Sequence, residues 1–304
     1  MRIKVIRSLG LVLSLMALLA AGSASAYAQN QQDFSKVEIK TTKISNNFYT
    51  LEGSGGMIGV LVGPDGVFMV DGQFAPLSDK IAAAIKKISS SPIRYLVNTH
   101  VHGDHTGGNE NFGKMGVVIL ARDELRARLA NPGGNATPAP SIALPKITYN
   151  TPVTLYMNGE EIRLIPIRRA HTDGDTLVHF PGPDVLMTGD YFRSLGYPNI
   201  DRANGGSLNG MLDGLGFTIG LAGPNTKVIP GHGATTDRAG LVAHRDMILA
   251  LRDRVEQQIK QGKTAEQVVA AKPTSDYDAR VPGATPMTAD RFIQQLYAEI
   301  VASK

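Results

Sequence analysis

The segment Thr99-His100-Val101-His102-Gly103-Asp104-His105-Thr106-Gly107-Gly108 places three histidines and one aspartate within six residues. Imidazole nitrogen and carboxylate oxygen are first-choice ligands for zinc. A single histidine is more often a core or surface residue than a ligand, but packing does not account for this density. The segment directly follows the apolar run Ile93 to Val97. A turn at such a strand end lets His100 and His102 face one ion while Asp104 and His105 face another.

The remaining histidines extend the pattern, since only seven occur and five stand in turns at strand ends. His171 lies in Ala170-His171-Thr172-Asp173-Gly174-Asp175, where Asp173 and Asp175 are expected to shape the turn. His232 lies in Pro230-Gly231-His232-Gly233, and its flanking glycines allow the backbone to bring an imidazole in at the end of the strand Lys227 to Ile229. Asp190 follows the strand Val185 to Met187 in Thr188-Gly189-Asp190. An aspartate after glycine is usually a turn residue, and it is the surrounding histidines that make Asp190 a candidate bridge between two ions. His179, in a strand pattern, and His244, in a helix pattern, read as structural. Asp71 ends the strand Val67 to Val70, where it is either the oxygen partner of a ligating imidazole or a plain turn residue. Gly53-Ser54-Gly55-Gly56 lacks the Lys-Ser/Thr of a phosphate loop and reads as a flexible hairpin tip overhanging the site. Tyr191, Phe192 and Tyr197 are packing residues or pocket wall.

The elements that must position these residues alternate along the chain. Val37 to Ile44 and Phe48 to Leu51 read as edge strands, and Met57 to Val62 and Val67 to Val70 as a hairpin turned by Gly63-Pro64-Asp65-Gly66. Ser78 to Ile88 carries Ile81, Ile85 and Ile88 at helical spacing. A second β-rich unit begins near Val153, with strands near Val153 to Tyr156, Ile162 to Ile167, Leu177 to Phe180, Val185 to Met187 and Lys227 to Ile229. Leu241 to Ile259 and Thr288 to Val301 are amphipathic helices. Two β-rich halves with helices outside predict an α/β, four-layer αβ/βα sandwich. Between the halves, Asn131 to Pro145 holds too much Pro and Gly for regular structure, and loops this long are commonly functional or mobile.

Composition narrows the function classes. Cysteine is absent, which removes disulfides, thiolate ligands and a cysteine nucleophile together. Arg2, Lys4 and Arg7 precede an apolar run from Leu9 to Ala21 that ends in small residues, the pattern of a secretory signal over residues 1–28 with cleavage after Ala26 or Ala28. The run is shorter than the roughly 18 to 20 apolar residues a membrane span needs, so no stable membrane anchor is expected. Residues 29–304 then form one domain, periplasmic or secreted. Three of the 31 basic residues and none of the 27 acidic ones fall in the signal, leaving 28 − 27, or +1. No Lys/Arg cluster remains as a footprint for nucleic acid, and the expected partner is a small-molecule substrate.

The order H-x-H-x-D-H, then H, then G-D, then G-H resembles the metallo-β-lactamase superfamily, from about Met57 through His232. The resemblance implies an αβ/βα sandwich with two Zn²⁺, or other divalent ions, between the sheet edges. It implies one ion on His100, His102 and His171, the other on Asp104, His105 and His232, and Asp190 as bridge. It also implies hydrolysis of an ester, lactone, thioester or lactam carbonyl by a metal-bridging hydroxide that Asp104 orients. The bridging Asp190 is similar to that of glyoxalase II and the lactone hydrolases, whereas dedicated β-lactamases usually carry Cys or a small residue there. Lactone hydrolases of this type have Tyr three residues past the bridge, where this chain has Arg193. No counterpart of the basic C-terminal glutathione-binding segment of glyoxalase II is evident. The alternatives are a β-lactamase proper, a mononuclear-iron persulfide dioxygenase, against which a complete second ligand set argues, and a non-catalytic metal-binding protein.

Overall fold

Short runs of β-branched and aromatic residues bounded by Gly, Pro and Asp become strands in both halves of the chain. The computed structural model describes residues 33–302. The expected signal over 1–28 therefore lies outside the described residues. Among the described residues no helix is long and apolar enough to cross a membrane. Val37 onward forms one compact unit, and the short unit before it contributes a single turn of 3-10 helix at Phe34–Lys36.

The first sheet contains β1 (Lys40–Lys43), β2 (Phe48–Glu52), β3 (Ile58–Leu61), β4 (Val67–Val70), β5 (Ile93–Val97), β6 (Val118–Arg122) and β7 (Ile147–Tyr149) in that order. Tight connections make β1 through β4 antiparallel. Helical crossovers make β4 through β7 parallel. These crossovers are α1 (Ser78–Lys86), the one-turn α2 (Gly103–Thr106) with α3 (Asn109–Lys114), and α4 (Asp123–Ala130). The second sheet runs β12-β11-β10-β9-β8, with β8 (Val153–Met157), β9 (Glu160–Pro166), β10 (Thr176–Phe180), β11 (Val185–Met187) and β12 (Lys227–Ile229). Its one parallel pair, β11 and β12, is linked through α5 (Leu208–Leu221). The chain ends in α6 (Arg238–Lys260), α7 (Ala265–Ala270) and α8 (Pro286–Ala302).

Period-two alternation sorts each strand of the second sheet between two cores. Val178, Phe180, Val185, Met187 and Ile229 pack against Phe48, Phe68, Val70 and Val97 of the first sheet. Their neighbours Leu177, Leu186 and Val228 point the other way, onto Met211 and Leu215 of α5, Ile248 and Leu251 of α6, and Phe292 of α8. β3 and β4 are buried on both faces, as a sheet layered between its partner sheet and its helices requires. The expected αβ/βα sandwich is the fold.

Several elements differ from their sequence expectation. The edge strand read over Val37 to Ile44 contracts to Lys40–Lys43, which is exposed throughout. α5 escaped the sequence reading because Gly210, Gly214, Gly216 and Gly220 lower its helix propensity. The helix is secured from outside: the Ser207 side chain caps Gly210 N, and Leu208, Met211, Leu215 and Ile219 recur at helical spacing on the buried face. β6, β7, α3, α4 and α7 are short pieces, each with too little periodicity to stand out.

Candidate metal centre

β4 and β5 are parallel neighbours, so the residues after them emerge at one sheet edge. β11 and β12 are likewise parallel, and they deliver Asp190 and His232 side by side. Three overlapping groups of ligand atoms result, each within 4.8 Å: His100, His102 and His171; His100, His105 and Asp190; Asp104, His105 and His232. The two triads expected from the sequence are thus assembled. Asp190 Oδ1 lies 3.3 Å from His105 Nε2 and 3.4 Å from His232 Nε2, and its Oδ2 lies 3.9 Å from His171 Nε2. The carboxylate stands between the triads.

Hydrogen bonds on the far side of each ring decide which nitrogen is free. His105 Nδ1 meets Asp71 Oδ2 at 2.7 Å, and a carboxylate only accepts, so Nδ1 carries a proton and Nε2 is the nitrogen left to bind a metal. His102 does the reverse: Nε2 donates to Asp201 Oδ2 at 2.7 Å, leaving Nδ1 free. His171 Nδ1 donates to the Asn199 carbonyl at 2.7 Å. The Thr99 hydroxyl donates to Asp71 Oδ2 and is therefore an acceptor for His100 Nδ1 at 3.1 Å. The four ring nitrogens left to bind a metal all face the cluster.

Those nitrogens then lack partners of their own. His100 Nε2 and Asp190 Oδ1 are buried without a hydrogen bond. His102 Nδ1 and His171 Nε2, both acceptors, face each other at 2.9 Å. Buried polar atoms are normally satisfied, and one species that satisfies several converging acceptors is a cation. Electrostatics agree. Burial, reinforced by the charge of His105, pushes His100 well below the usual imidazole range, and burial takes His171 down to about 4. Both are neutral imidazoles near pH 7, the form that binds metal. Burial would raise the Asp190 carboxyl, but the close approach of His105 and the charges of His232 and His105 outweigh it and hold the group ionised. His105 shifts upward, because Asp71 and Asp190 overcome its burial. So anionic a niche draws in positive charge. The donor set of imidazoles and carboxylates, without thiolate, suits zinc or another divalent ion.

Backbone placement shows how the chain makes room. A Cβ on Gly56 would lie 2.1 Å from the His105 ring, and one on Gly231 would lie 2.0 Å from Asp190 Oδ1. The Gly53 to Gly56 segment does not hang free over the site as the sequence suggested. Gly56 N donates to the Asp104 carbonyl, and the Gln73 amide donates to Gly56 O at 2.7 Å. Asp71 adopts φ +61, rare for a non-glycine residue, and is held there by Thr99 N and Thr99 Oγ1, both at 2.7 Å.

Of the secondary candidates, Asp71 is the oxygen partner and not a plain turn residue. Asp175 shapes the His171 turn, accepting from His171 N at 2.6 Å and from Thr172 N and Oγ1. Burial pushes its carboxyl up to about 7. Asp173 instead pairs with Arg128 of α4 through two hydrogen bonds of 2.7 and 2.6 Å. His179 and His244 stand outside the cluster. Tyr191 and Tyr197 are fully buried packing residues, and Phe192, nearly as buried, is also part of a cavity wall. The loop after α4 borders a cavity of about 370 Å³ that reaches His102. Asp201 went unrecognised, because nothing beside it in Pro198-Asn199-Ile200-Asp201 marks it as a partner of a histidine 99 positions earlier.

Comparison with known proteins agrees with this geometry. Residues 52–249 match the family model of the metallo-beta-lactamase superfamily. The chain is 27% identical over 181 residues to a hydroxyacylglutathione hydrolase of Nitrosococcus oceani, a match covering 56% of this chain and 60% of that protein. Among solved structures, a metallo-beta-lactamase from Pontibacter korlensis superposes with a TM-score of 0.60 at 18% identity, covering 70% of this chain and 99% of the other. A stereoselective inverting sec-alkylsulfatase from Pseudomonas sp. gives 0.67 at 17% identity, covering 86% of this chain and 50% of the other. With the family model spanning well over half of its length, the chain belongs to the metallo-beta-lactamase superfamily.

Proposed function

We propose that the protein is an exported hydrolase that carries two zinc ions and opens an ester, lactone, thioester or lactam carbonyl. The observation that carries this reading is the pair of ligand triads with the Asp190 carboxylate between them, and with His100 Nε2 and Asp190 Oδ1 buried but unpartnered. The hydroxyacylglutathione hydrolase relative supports a carbonyl substrate. His100, His102 and His171 would hold one ion, and Asp104, His105 and His232 the other. When bound, such a pair supplies a nucleophile at neutral pH and polarises a carbonyl oxygen.

The chain's own residues orient that chemistry. The Asp104 side chain is more open than that of Asp190 and its Oδ2 lies 3.0 Å from His232 Nε2, so it is the acceptor placed to orient an attacking water. The hydrogen bonds of Asp71, Asp201, Asn199 and Thr99 keep the ligating rings in one tautomer without rearrangement. Arg193 Nη1 lies 3.9 Å from Asp190 Oδ2, where it offsets the negative charge of the carboxylates.

Metal analysis after zinc loading is expected to return two ions per chain, and one tightly held ion would overturn the dinuclear reading. Second-order rate constants against lactones, esters, thioesters and β-lactams test the substrate. Lactones and esters are expected to lead, because Asp190 occupies space that dedicated lactamases leave open. A β-lactam preferred tenfold, about 1.4 kcal/mol of transition-state binding, would reverse that order. Export predicts a new N-terminus at Tyr27 or Gln29, and intact Met1 in the cytosol would refute it.

A further inference from the structure

A second cavity, of about 400 Å³, opens between the loop after Asp190, α6 and the segment 277–282. Phe192, Ala243, Met247 and Val281 give it a largely apolar wall. Ser194, Thr236, Tyr277 and Arg280 also line it, and two further polar groups bear on the argument. Arg193 lines it while also standing 3.9 Å from Asp190 Oδ2, so one guanidinium is shared between cavity and metal centre. His244 lines it from α6, its ring edge to face with Phe192 at 5.0 Å.

These groups are left incomplete by the protein. Arg193 Nε and His244 Nε2 are buried without a hydrogen-bond partner. Arg291 of α8, close enough for the charges of Arg193 and Asp190 to act on it, likewise has an unpartnered buried Nε. Among the described residues the side chains of Arg193 and Arg291 make no hydrogen bond. Arg280 is different, since Asp276 and the Tyr277 ring already engage it. Arg193, at the edge of an apolar cavity, has the Asp190 carboxylate at 3.9 Å, but that carboxylate is shared with His105 and His232, and the guanidinium keeps a buried donor unmet. Exposed donors would be met by water, but buried ones need a fixed acceptor. A planar carboxylate fits a guanidinium fork, and the wall asks for hydrocarbon beside it.

We infer that this cavity receives a carboxylate-bearing hydrocarbon part of the substrate, the carboxylate meeting Arg193 and the hydrocarbon lying on Phe192, Met247 and Val281. The inference rests on the hydrolase reading for the word substrate, but the binding site itself does not. Arg193 would then couple a ligand in this cavity to the Asp190 carboxylate of the metal centre.

Calorimetric titration of the zinc-loaded protein tests this with 4-phenylbutyrate, its neutral amide, acetate and 3-phenylpropanesulfonate. Phenylbutyrate is expected to bind at least tenfold tighter than the amide or acetate and no weaker than the sulfonate. Arg193→Gln should weaken it at least tenfold. Ala243 is an exposed position on α6 that borders the cavity, so Ala243→Trp should fill the space. This variant should also cost tenfold, with metal content and acetate binding unchanged. Equal binding of acid and amide would overturn the inference. So would full affinity in Ala243→Trp, which would place the carboxylate on the metal ions, or a preference for the sulfonate. Tight phenylbutyrate binding without turnover of any carbonyl substrate would leave the cavity assignment standing and sink the hydrolase reading, so the two fail separately.

Discussion

Asp71 Oδ2 lies 2.7 Å from His105 Nδ1, and the same carboxylate accepts from Thr99 N and Thr99 Oγ1. One residue at the end of β4 thereby sets the tautomer of His105 and anchors the start of the histidine turn. Asp71→Asn is expected to lower zinc affinity about 10- to 100-fold, the usual cost of losing an outer partner of a ligating histidine. Asparagine tolerates the left-handed backbone at φ +61, so the fold should survive. Chelator competition measures the affinity; an unchanged value would show that Thr99 alone orients the site.

Asp104, Asp173 and Asp175 should separate cleanly when replaced by Ala. Asp104→Ala removes the acceptor beside His232 and should reduce turnover by at least about 100-fold. Asp175→Ala strands the buried donors His171 N, Thr172 N and Thr172 Oγ1 and should destabilise the metal-free fold by about 3 kcal/mol. Asp173→Ala loses a partly exposed pair with Arg128 and should cost less than about 1 kcal/mol. Denaturant unfolding beside steady-state kinetics distinguishes the three, and equal effects would contradict the geometry.

Metal removal should lower the melting temperature. Zinc held at about 100 times its dissociation constant adds about 2.7 kcal/mol to the folded state. For a domain of this size that is a rise of roughly 5 to 10 °C. Calorimetry with and without a chelator measures it, and Asp190→Ala should shrink the difference because the carboxylate between the triads is gone. An unshifted melting point would mean that the cluster binds no metal.

How much of this was legible in the chain follows from where each signal lives. His100 to His105 are neighbours in sequence, so their density is visible directly. The ends of β11 and β12 were recognisable because Gly flanks Asp190 and His232, and a Cβ on Gly231 would indeed collide with Asp190. Asp71 stood at the right strand end, and only tertiary contact could choose between its two readings. Asp201 and Asn199 were invisible: they reach His102 and His171 across a long irregular loop, and a lone carboxylate or backbone carbonyl has no pattern. α5 was hidden by its glycines, since its stability comes from packing on the second sheet and not from propensity.

His244 offers a pH test independent of metal. Its ring lies in α6 against Phe192, its Nε2 has no partner, and burial, with Arg193's charge adding, takes its pKa down to about 4. In the unfolded chain it titrates near 6.5. The folded value is the lower one, so the unfolded state binds the proton more tightly. Stability is complete above pH 6.5 and declines as pH falls from there toward 4. Full loss of this increment is worth up to about 3 kcal/mol. His244→Gln removes the titration and should flatten that part of the profile. Other histidines and carboxylates change over the same range, so the measurement is the difference between the two proteins, by urea unfolding of metal-free samples at pH 7.5, 6, 5 and 4.5. The gap should move in favour of the variant by about 2 kcal/mol or more between the first and last pH, and a constant gap would show that His244 titrates as it does in the unfolded chain.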